Sequence, residues 1–148
     1  MIQDIFDIQV NGYGGVDFNS CDLTGEQLHS ACTKLKADGV SGILATIITE
    51  KLPVMQQRLE RLVQLREQDS LVRQMIIGLH IEGPFINPTD GYRGAHPLDA
   101  VMPATCDDMK RLLDAADGGA CSDSGFMVST NASGRVIGFS LQGATVAA

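Results

Sequence analysis

The sequence predicts an α/β fold in which parallel β-strands alternate with α-helices. Three short runs are almost continuously apolar, as is typical of strands covered on both faces: Ile2–Val10, Val40–Thr49 and Met75–Ile81. The segments between these runs have helical periodicity, and alternation of strands with helices indicates parallel βαβ units. In such folds the chemistry lies on the loops that follow the carboxyl ends of the strands.

The first helix is predicted from about Gly25 to Asp38. Thr24 with Gln27 three residues later is typical of a capping box at a helix start. Gly39 is suited to end the helix, because glycine adopts the left-handed conformation that such a terminus uses. The apolar residues that recur at helical spacing are Leu28, Ala31, Cys32 and Leu35.

Two further helices are predicted after the second and third strands. One begins near Pro53 and ends around Asp69, and the other spans Asp107–Ala116. The apolar stripe of the longer helix comprises Val54, Leu59, Leu62, Val63 and Leu65.

The last part of the chain has a different composition. Residues 118–148 are rich in Gly, Ser, Ala and Asn, with short strands indicated at Met127–Val128 and Val136–Phe139. We therefore predict a packed domain over residues 1–117 and a divergent tail over 118–148 that does not belong to the packed core and is disordered or non-native.

The composition disfavours several classes of protein. The formal net charge of the 148 residues is −7, so the surface would repel nucleic acids and anionic membranes. None of the four cysteines forms a C-x-x-C pair, which argues against a zinc knuckle and favours free thiols. The first 20 residues do not resemble a signal peptide, and no apolar run approaches the roughly 18 residues of a membrane span. We expect a soluble cytoplasmic protein with no nucleic-acid or membrane partner.

The strongest chemical signal is the segment from Gly78 to Phe85. Glu82 stands at the mouth of an apolar strand, just before a Gly-Pro break, where a carboxylate needs a partner such as a divalent metal. Alternatively, Glu82 pairs with an arginine or caps a helix. His80 is two residues earlier and points to the same face of the strand. It either chelates an ion together with Glu82 or orients Glu82 from the core.

Two other loops carry candidate groups. Gln9 and Asn11 place two amide side chains at the end of the first strand, where they could bind water or a sugar hydroxyl. The alternative that Asn11 forms a turn before Gly12 is also strong. Arg93 and His96 supply a cation and an imidazole on a loop, where Arg93 could recognise a phosphate. The alternative, which is the more common outcome, is that both are solvated loop residues. His29 lies on the first predicted helix and is assigned to the surface or to packing.

Two of these segments together resemble a known family. Residues Asp7–Asn19 are similar to the first barrel-strand motif of N-acetylglucosamine-6-phosphate deacetylases, which are metal-dependent amidohydrolases. Residues Gly78–Pro88, followed by Gly94–Pro97, are similar to the metal-binding loop after their third strand. The resemblance covers roughly residues 2–117.

The resemblance implies a partial (β/α)8 TIM barrel, comprising about the first three to four βα units. It implies hydrolysis of the acetamide of N-acetylglucosamine 6-phosphate to glucosamine 6-phosphate and acetate, with one divalent metal, usually zinc. Glu82 would be the metal ligand and Ala95 and His96 would contact the substrate. Gln9 and Asn11, with His80, would hold a metal-bound water or support the ligands from outside. The full-length family is expected to form homo-oligomers.

The same resemblance indicates what the chain lacks. The family's two other metal ligands are histidines on later strands and its general base is a later aspartate, whereas no histidine follows His96 here. We therefore expect a truncated, inactive fragment that contains no catalytic base. Two alternatives stay open: a half-barrel completed by another chain, and a non-catalytic module that binds sugar phosphates or partners.

Overall fold

The computed structural model describes residues 5–117, 126–130 and 136–140, and within these ranges it confirms an α/β fold with a parallel sheet. The strands are Ile5–Val10 (β1), Gly12–Tyr13 (β2), Val16–Asp17 (β3), Val40–Ile48 (β4), Ile76–Glu82 (β5), Phe126–Thr130 (β6) and Val136–Ser140 (β7). The α-helices are Gly25–Ala37 (α1), Leu52–Gln68 (α2), Ser70–Met75 (α3) and Cys106–Asp117 (α4), and a 3-10 turn spans Leu98–Ala100.

One five-stranded sheet organises the fold. Its strand order is β1-β4-β5-β6-β7, in which the first four strands run parallel and β7 is antiparallel to β6. The short strands β2 and β3 form a separate hairpin directly after β1. Between β4 and β5 the register pairs Thr46 with His80 and Ile48 with Glu82, which fixes the neighbours of the two chemically interesting residues of β5.

The helices enclose a hydrophobic core against the sheet. The four apolar residues predicted for the inner face of α1 are all buried, as are Leu59, Leu62, Val63 and Leu65 of α2. They pack in one cluster with Ile43 of β4 and Ile76 of β5. Burial of this apolar surface is the main stabilising contribution to such a domain.

Helix termini follow the local sequence signals. Thr24 Oγ1 accepts a hydrogen bond from Gln27 N at 3.2 Å, and Gln27 Oε1 accepts one from Thr24 N at 2.9 Å, which confirms the capping box. Gly39 has φ +89°, as expected for the residue that ends the helix. The structure adds one helix, α3, that was not predicted, and Met75 belongs to it instead of to the third strand.

Strand β1 is confirmed, but its predicted burial is wrong. Ile5, Phe6 and Ile8 are 39%, 42% and 58% exposed. The physical reason is position, since β1 is at the edge of the sheet with β4 as its neighbour. An apolar sequence reports that a strand can be buried, and it does not report what covers it.

The two strands indicated in the tail are confirmed in the backbone. β6 pairs in parallel with β5 through Leu79–Met127 and His80–Val128, and β7 pairs with β6. The remainder of 118–148 lies outside the described residues, so a division into a packed domain and a separate tail stays a prediction. Across the part of the chain that is described, no helix combines the length and apolar character needed to cross a membrane.

Candidate functional site

The carboxyl edge of the sheet brings three of the predicted residues together around one carboxylate. Glu82 ends β5, and its Oε2 accepts a hydrogen bond from Gln9 Nε2 of β1 at 3.2 Å. On the other side, His96 Nε2 lies 3.4 Å from Glu82 Oε1. Both carboxylate oxygens of Glu82 therefore face polar side chains that come from sequence positions far away from it.

The backbone at Glu82 is fixed as firmly as its side chain. Thr49 Oγ1 donates a hydrogen bond to the carbonyl oxygen of Glu82 at 2.8 Å. Gly83 follows with φ +82°, and a Cβ atom at that position would lie 2.0 Å from Thr49 Oγ1. The peptide bond between Gly83 and Pro84 is cis. The strand thus turns away immediately after Glu82 in a conformation that requires glycine.

His80 is buried beside this site. The residue is 3% exposed, and its Nδ1 lies 3.2 Å from Thr46 Oγ1. Thr46 is the residue of β4 that pairs with His80 in the sheet. Among the residues that the structure describes, the buried Nε2 of His80 has no hydrogen-bond partner. Burial lowers the pKa of His80, an effect that the negative charge of Glu82 opposes, so the neutral imidazole is favoured at neutral pH.

Asn19 is a buried polar residue near the site that sequence reasoning missed. Its Nδ2 donates to Thr46 O at 2.9 Å, and its Oδ1 accepts from Ile48 N at 2.9 Å. The amide thereby takes the place of a strand partner along the last residues of β4. An asparagine close behind a glycine-rich turn carries no signal that separates this role from turn formation.

The β2–β3 hairpin, which begins directly after Asn11, is held by side chains at the C-terminal end of α1. Asn11 is exposed, and its carbonyl oxygen accepts a hydrogen bond from Phe18 N at 3.0 Å. Tyr13 Oη donates to Asp38 Oδ2 at 2.6 Å, and Lys34 Nζ donates to Gly14 O at 2.8 Å. The backbone geometry agrees with the turn-forming interpretation of Asn11, and a binding role for its side chain stays a prediction.

The loop after β5 is organised by Arg93. Its Nη2 donates to Asp90 Oδ1 at 2.8 Å, and its Nη1 donates to the carbonyl oxygen of His96. Arg93 therefore anchors the turn that presents His96 to Glu82, while the preceding Ala95 is exposed. A role for Arg93 toward phosphate stays a prediction.

His29 forms a pair with Asp69. It is exposed on α1, as predicted, and its Nδ1 lies 2.7 Å from Asp69 Oδ2. Asp69 also accepts hydrogen bonds from Leu71 N and Val72 N, so this pair belongs to the start of α3.

The donor atoms at the site suit a divalent cation in kind but not in number. Glu82 offers carboxylate oxygens and the nearby imidazoles offer nitrogen, which are ligand types that zinc accepts. Among the described residues, however, no group of three or more His, Cys, Asp or Glu side chains could hold a metal ion. These residues fit part of a zinc site and do not complete one.

Comparison with curated proteins gives relatives of one kind. The chain is 28% identical over 113 residues to N-acetylglucosamine-6-phosphate deacetylase of Bacillus subtilis (strain 168), covering 75% of this chain and 28% of that protein. It is 32% identical over 97 residues to N-acetylgalactosamine-6-phosphate deacetylase of Shewanella sp. (strain ANA-3), covering 66% of this chain and 23% of that protein. The chain thus spans less than a third of the length of either relative.

Comparison with solved structures also gives deacetylases, and these share the fold of this chain. N-acetylglucosamine-6-phosphate deacetylase from Pasteurella multocida superposes with a TM-score of 0.63 at 26% identity, over 78% of this chain and 29% of that one. A Mycobacterium smegmatis deacetylase, determined in complex with N-acetyl-D-glucosamine-6-phosphate, gives 0.64 at 24% identity, over 78% of this chain and 28% of that one. No family model matches the chain. The neighbours confirm the resemblance to N-acetylglucosamine-6-phosphate deacetylases over most of the chain.

Proposed function

We propose that this chain, which resembles N-acetylglucosamine-6-phosphate deacetylases over about three quarters of its length, forms the first βα units of a deacetylase barrel. The supporting observation is the Glu82 carboxylate, which stands at the carboxyl edge of a parallel sheet between Gln9 and His96. Open parallel sheets and barrels carry their ligands at this edge.

The proposed reaction is hydrolysis of the acetamide of an N-acetylhexosamine 6-phosphate to the free amine and acetate. A bound zinc ion would polarise the acetyl carbonyl and acidify the attacking water. In this chain Glu82 is the proposed metal ligand, and Gln9 orients its carboxylate by the hydrogen bond to Oε2. His96 and Ala95 lie on the loop proposed to meet the substrate.

The sugar is proposed to be the glucosamine epimer, on the basis of the relative with the longer alignment. The Shewanella relative is named for the galactosamine epimer, which supports a second candidate substrate. Both candidates share the acetamide and the phosphate, so they differ in sugar stereochemistry and in no step of the reaction.

The isolated chain is proposed to be inactive by itself. A catalytic zinc ordinarily has three protein ligands. Among the described residues, Glu82 is not part of a group of three side chains that could bind zinc. A further polypeptide segment, in this chain's gene product or in another chain, would have to supply the remaining ligands and the general base.

A chimera tests the proposed function directly. The 113-residue matched region of the Bacillus subtilis deacetylase is replaced by the matched region of this chain, and acetate release is measured with each of the two sugar phosphates. We expect acetate release with zinc, abolished in Glu82→Gln and retained in Glu50→Gln, a carboxylate on a different loop. A folded chimera that releases no acetate, or one indifferent to Glu82→Gln, would contradict the proposal.

A further inference from the structure

A second cavity, of about 370 Å³, lies against the middle of α2. Its walls come from α2 and from the segment that follows β3, and they are polar: Cys21, Gln57, Arg58, Glu60, Arg61 and Gln64. None of these residues takes part in the contacts of the Glu82 carboxylate with Gln9 and His96. The cavity is therefore a candidate site of its own, and an inference about it does not depend on the proposed deacetylase chemistry.

Arg58 is largely withdrawn from water without being fully paired. Its side chain is 15% exposed, and its ion pair, from Nη2 to Glu50 Oε2, is 3.9 Å long, which exceeds hydrogen-bond distance. Among the described residues, its buried Nε has no hydrogen-bond partner. A guanidinium that has lost water without gaining a close carboxylate is costly in free energy. An anion in the cavity would reduce that cost.

Arg61 adds a second guanidinium, and its orientation is fixed. It follows Arg58 by three residues, so the two side chains are neighbours on the surface of α2. Arg61 Nε donates to Leu23 O at 3.0 Å, and Nη1 donates to Gln64 Oε1 at 3.2 Å. These bonds hold the plane of the guanidinium before a ligand arrives. A preorganised group loses less side-chain entropy when it binds an oxyanion.

The charge balance of the cavity is opposite to that of the whole chain. Its two guanidinium groups are accompanied by one lining carboxylate, that of Glu60, although the chain has a formal net charge of −7. The amides of Gln57 and Gln64 add hydrogen-bond donors. Because Gln64 Oε1 already accepts from Arg61, the Nε2 end of that amide is the one left for a ligand. A local excess of positive charge and N–H donors suits an anion and disfavours a cation.

We propose that this cavity binds a small oxyanion, a phosphate or carboxylate group, between Arg58 and Arg61, with the two glutamine amides donating to its remaining oxygens. Guanidinium groups match the paired oxygens of either anion. The alternative is a solvated helix face on which the arginines serve only contacts within the chain. The partial burial of Arg58 with an unpaired Nε favours binding over that alternative.

Cys21 is a reporter within the cavity, and Cys106 is its matched control. Both are exposed free thiols, but Cys21 lines the cavity, whereas Cys106 begins α4 beside Asp107 and Asp108. Iodoacetate and iodoacetamide alkylate a thiolate by the same displacement: the sulfur–carbon bond forms, the carbon–iodine bond breaks and iodide leaves. Only iodoacetate carries the carboxylate that the cavity should bind.

The measured quantity is the ratio of the iodoacetate rate to the iodoacetamide rate at each cysteine. Peptide mass spectrometry follows both labels on the 148-residue chain at about pH 8, where free thiols are partly ionised. We expect this ratio to be at least tenfold higher at Cys21 than at Cys106. Equal ratios at the two cysteines would overturn the proposal.

Arginine variants assign the ratio to the cavity. Arg58→Gln should lower the ratio at Cys21 at least threefold, and Arg58→Gln combined with Arg61→Gln should lower it at least tenfold. The ratio at Cys106 should stay within twofold. Arg73→Gln removes the same charge from an exposed position of α3 and should leave both ratios unchanged. An undiminished ratio in the double variant, or an equal loss in Arg73→Gln, would overturn the proposal.

Competition on the unaltered chain identifies the anion and does not depend on the folding of a variant. Inorganic phosphate or formate replaces chloride at constant ionic strength, and the iodoacetate rate is followed at both cysteines. We expect saturable slowing at Cys21 and none at Cys106. Slowing by phosphate alone assigns a phosphate ligand, slowing by formate alone assigns a carboxylate, and slowing by both supports the shared oxyanion site. No slowing relative to chloride would overturn the site, whether or not the chimera releases acetate.

Discussion

Gln9 and Glu82 meet across an intervening strand. Gln9 Nε2 donates to Glu82 Oε2 at 3.2 Å, although β1 and β5 are both bonded to β4 and not to each other. The contact is possible because all three strands run parallel and end at the same edge. It joins two sequence motifs that are 73 residues apart into one site.

We expect Gln9→Leu to reduce function without reducing stability. Gln9 is exposed, so the free energy of unfolding should change by less than about 0.5 kcal/mol. Loss of the hydrogen bond that orients a metal-ligand carboxylate should lower acetate release by the chimera by about 10-fold or more. Gln57→Leu, at an exposed position of α2, is the matched control and should affect neither quantity. Equal rates in the two variants would show that Gln9 does not orient Glu82.

Much of the fold could be predicted because its signals are local. Thr24, Gln27 and Gly39 each act within a few residues, and all three perform the predicted role at the ends of α1. The apolar periodicity of α1 and the apolar run of β4 likewise report their own burial. Local chemistry therefore predicts α1 and β4, whereas α3 was not predicted and includes Met75, which the apolar run had assigned to a strand.

The site could be predicted only in part, because its contacts are not local. The strand-end positions of Gln9 and Glu82 follow from the sequence, and their meeting follows from the parallel order of strands. The contact of His96 with Glu82 depends on a loop anchored by Arg93, and the role of Asn19 depends on where β1 stops beside β4. The exposure of Ile8 depends on what lies next to the edge of the sheet. None of these has a short-range signature.

Asp69 should be important for stability at the start of α3. Its side chain accepts hydrogen bonds from Leu71 N at 2.8 Å and Val72 N at 3.0 Å, so Asp69→Ala should cost about 1 kcal/mol, as is usual for a lost helix cap. Asp69→Asn keeps a capping oxygen and should cost less. The free energy of unfolding, from urea titration monitored by circular dichroism, measures both variants. An alanine variant as stable as the asparagine variant would contradict the capping role.

Asp69 should also make the stability of the folded chain depend on pH under acidic conditions. The Val72 backbone hydrogen bond, followed by the contact with His29, lowers the pKa of Asp69 below 3.8. A carboxylate whose pKa is lowered in the folded state stabilises the fold at pH values above its unfolded pKa. This contribution to the free energy of unfolding is lost as the pH falls through the folded pKa. We therefore expect wild type to lose stability below about pH 4 more steeply than Asp69→Asn. Parallel slopes for the two proteins between pH 4 and pH 2 would contradict this assignment.

The cysteines should differ sharply in reactivity. Burial, followed by the negative charge of Asp69, raises the pKa of Cys32 to about 12, whereas Cys21 and Cys106 are exposed free thiols. Alkylation requires the thiolate, so iodoacetamide at pH 8 should label Cys21 and Cys106 and spare Cys32 until urea unfolds the chain. Mass spectrometry of peptides locates the labels. Labelling of Cys32 at the rate of Cys21 under native conditions would contradict its burial.

The exposed edge strand should promote self-association. Ile8 is 58% exposed next to Phe6 on an edge strand, which offers both apolar surface and unpaired backbone groups to another chain. Ile8→Lys should therefore lower the weight-average mass seen by sedimentation at high protein concentration. Leu98→Lys is matched in exposure, at 57%, but lies in a 3-10 turn and should leave the mass unchanged. An equal effect of both lysines would indicate a general effect of charge.

Gly83 should be the least replaceable glycine near the site. Gly83→Ala combines φ +82° with a Cβ atom 2.0 Å from Thr49 Oγ1, whereas Gly91→Ala combines φ +89° with open space. The control should therefore cost about 1–2 kcal/mol for the left-handed backbone alone, and Gly83→Ala should cost clearly more. Thr49→Ala added to Gly83→Ala should restore part of the loss, because it removes the clashing hydroxyl along with its bond to Glu82 O. Equal unfolding free energies for the two single alanine variants would show that the turn after Glu82 can relax, and that Thr49 does not define it.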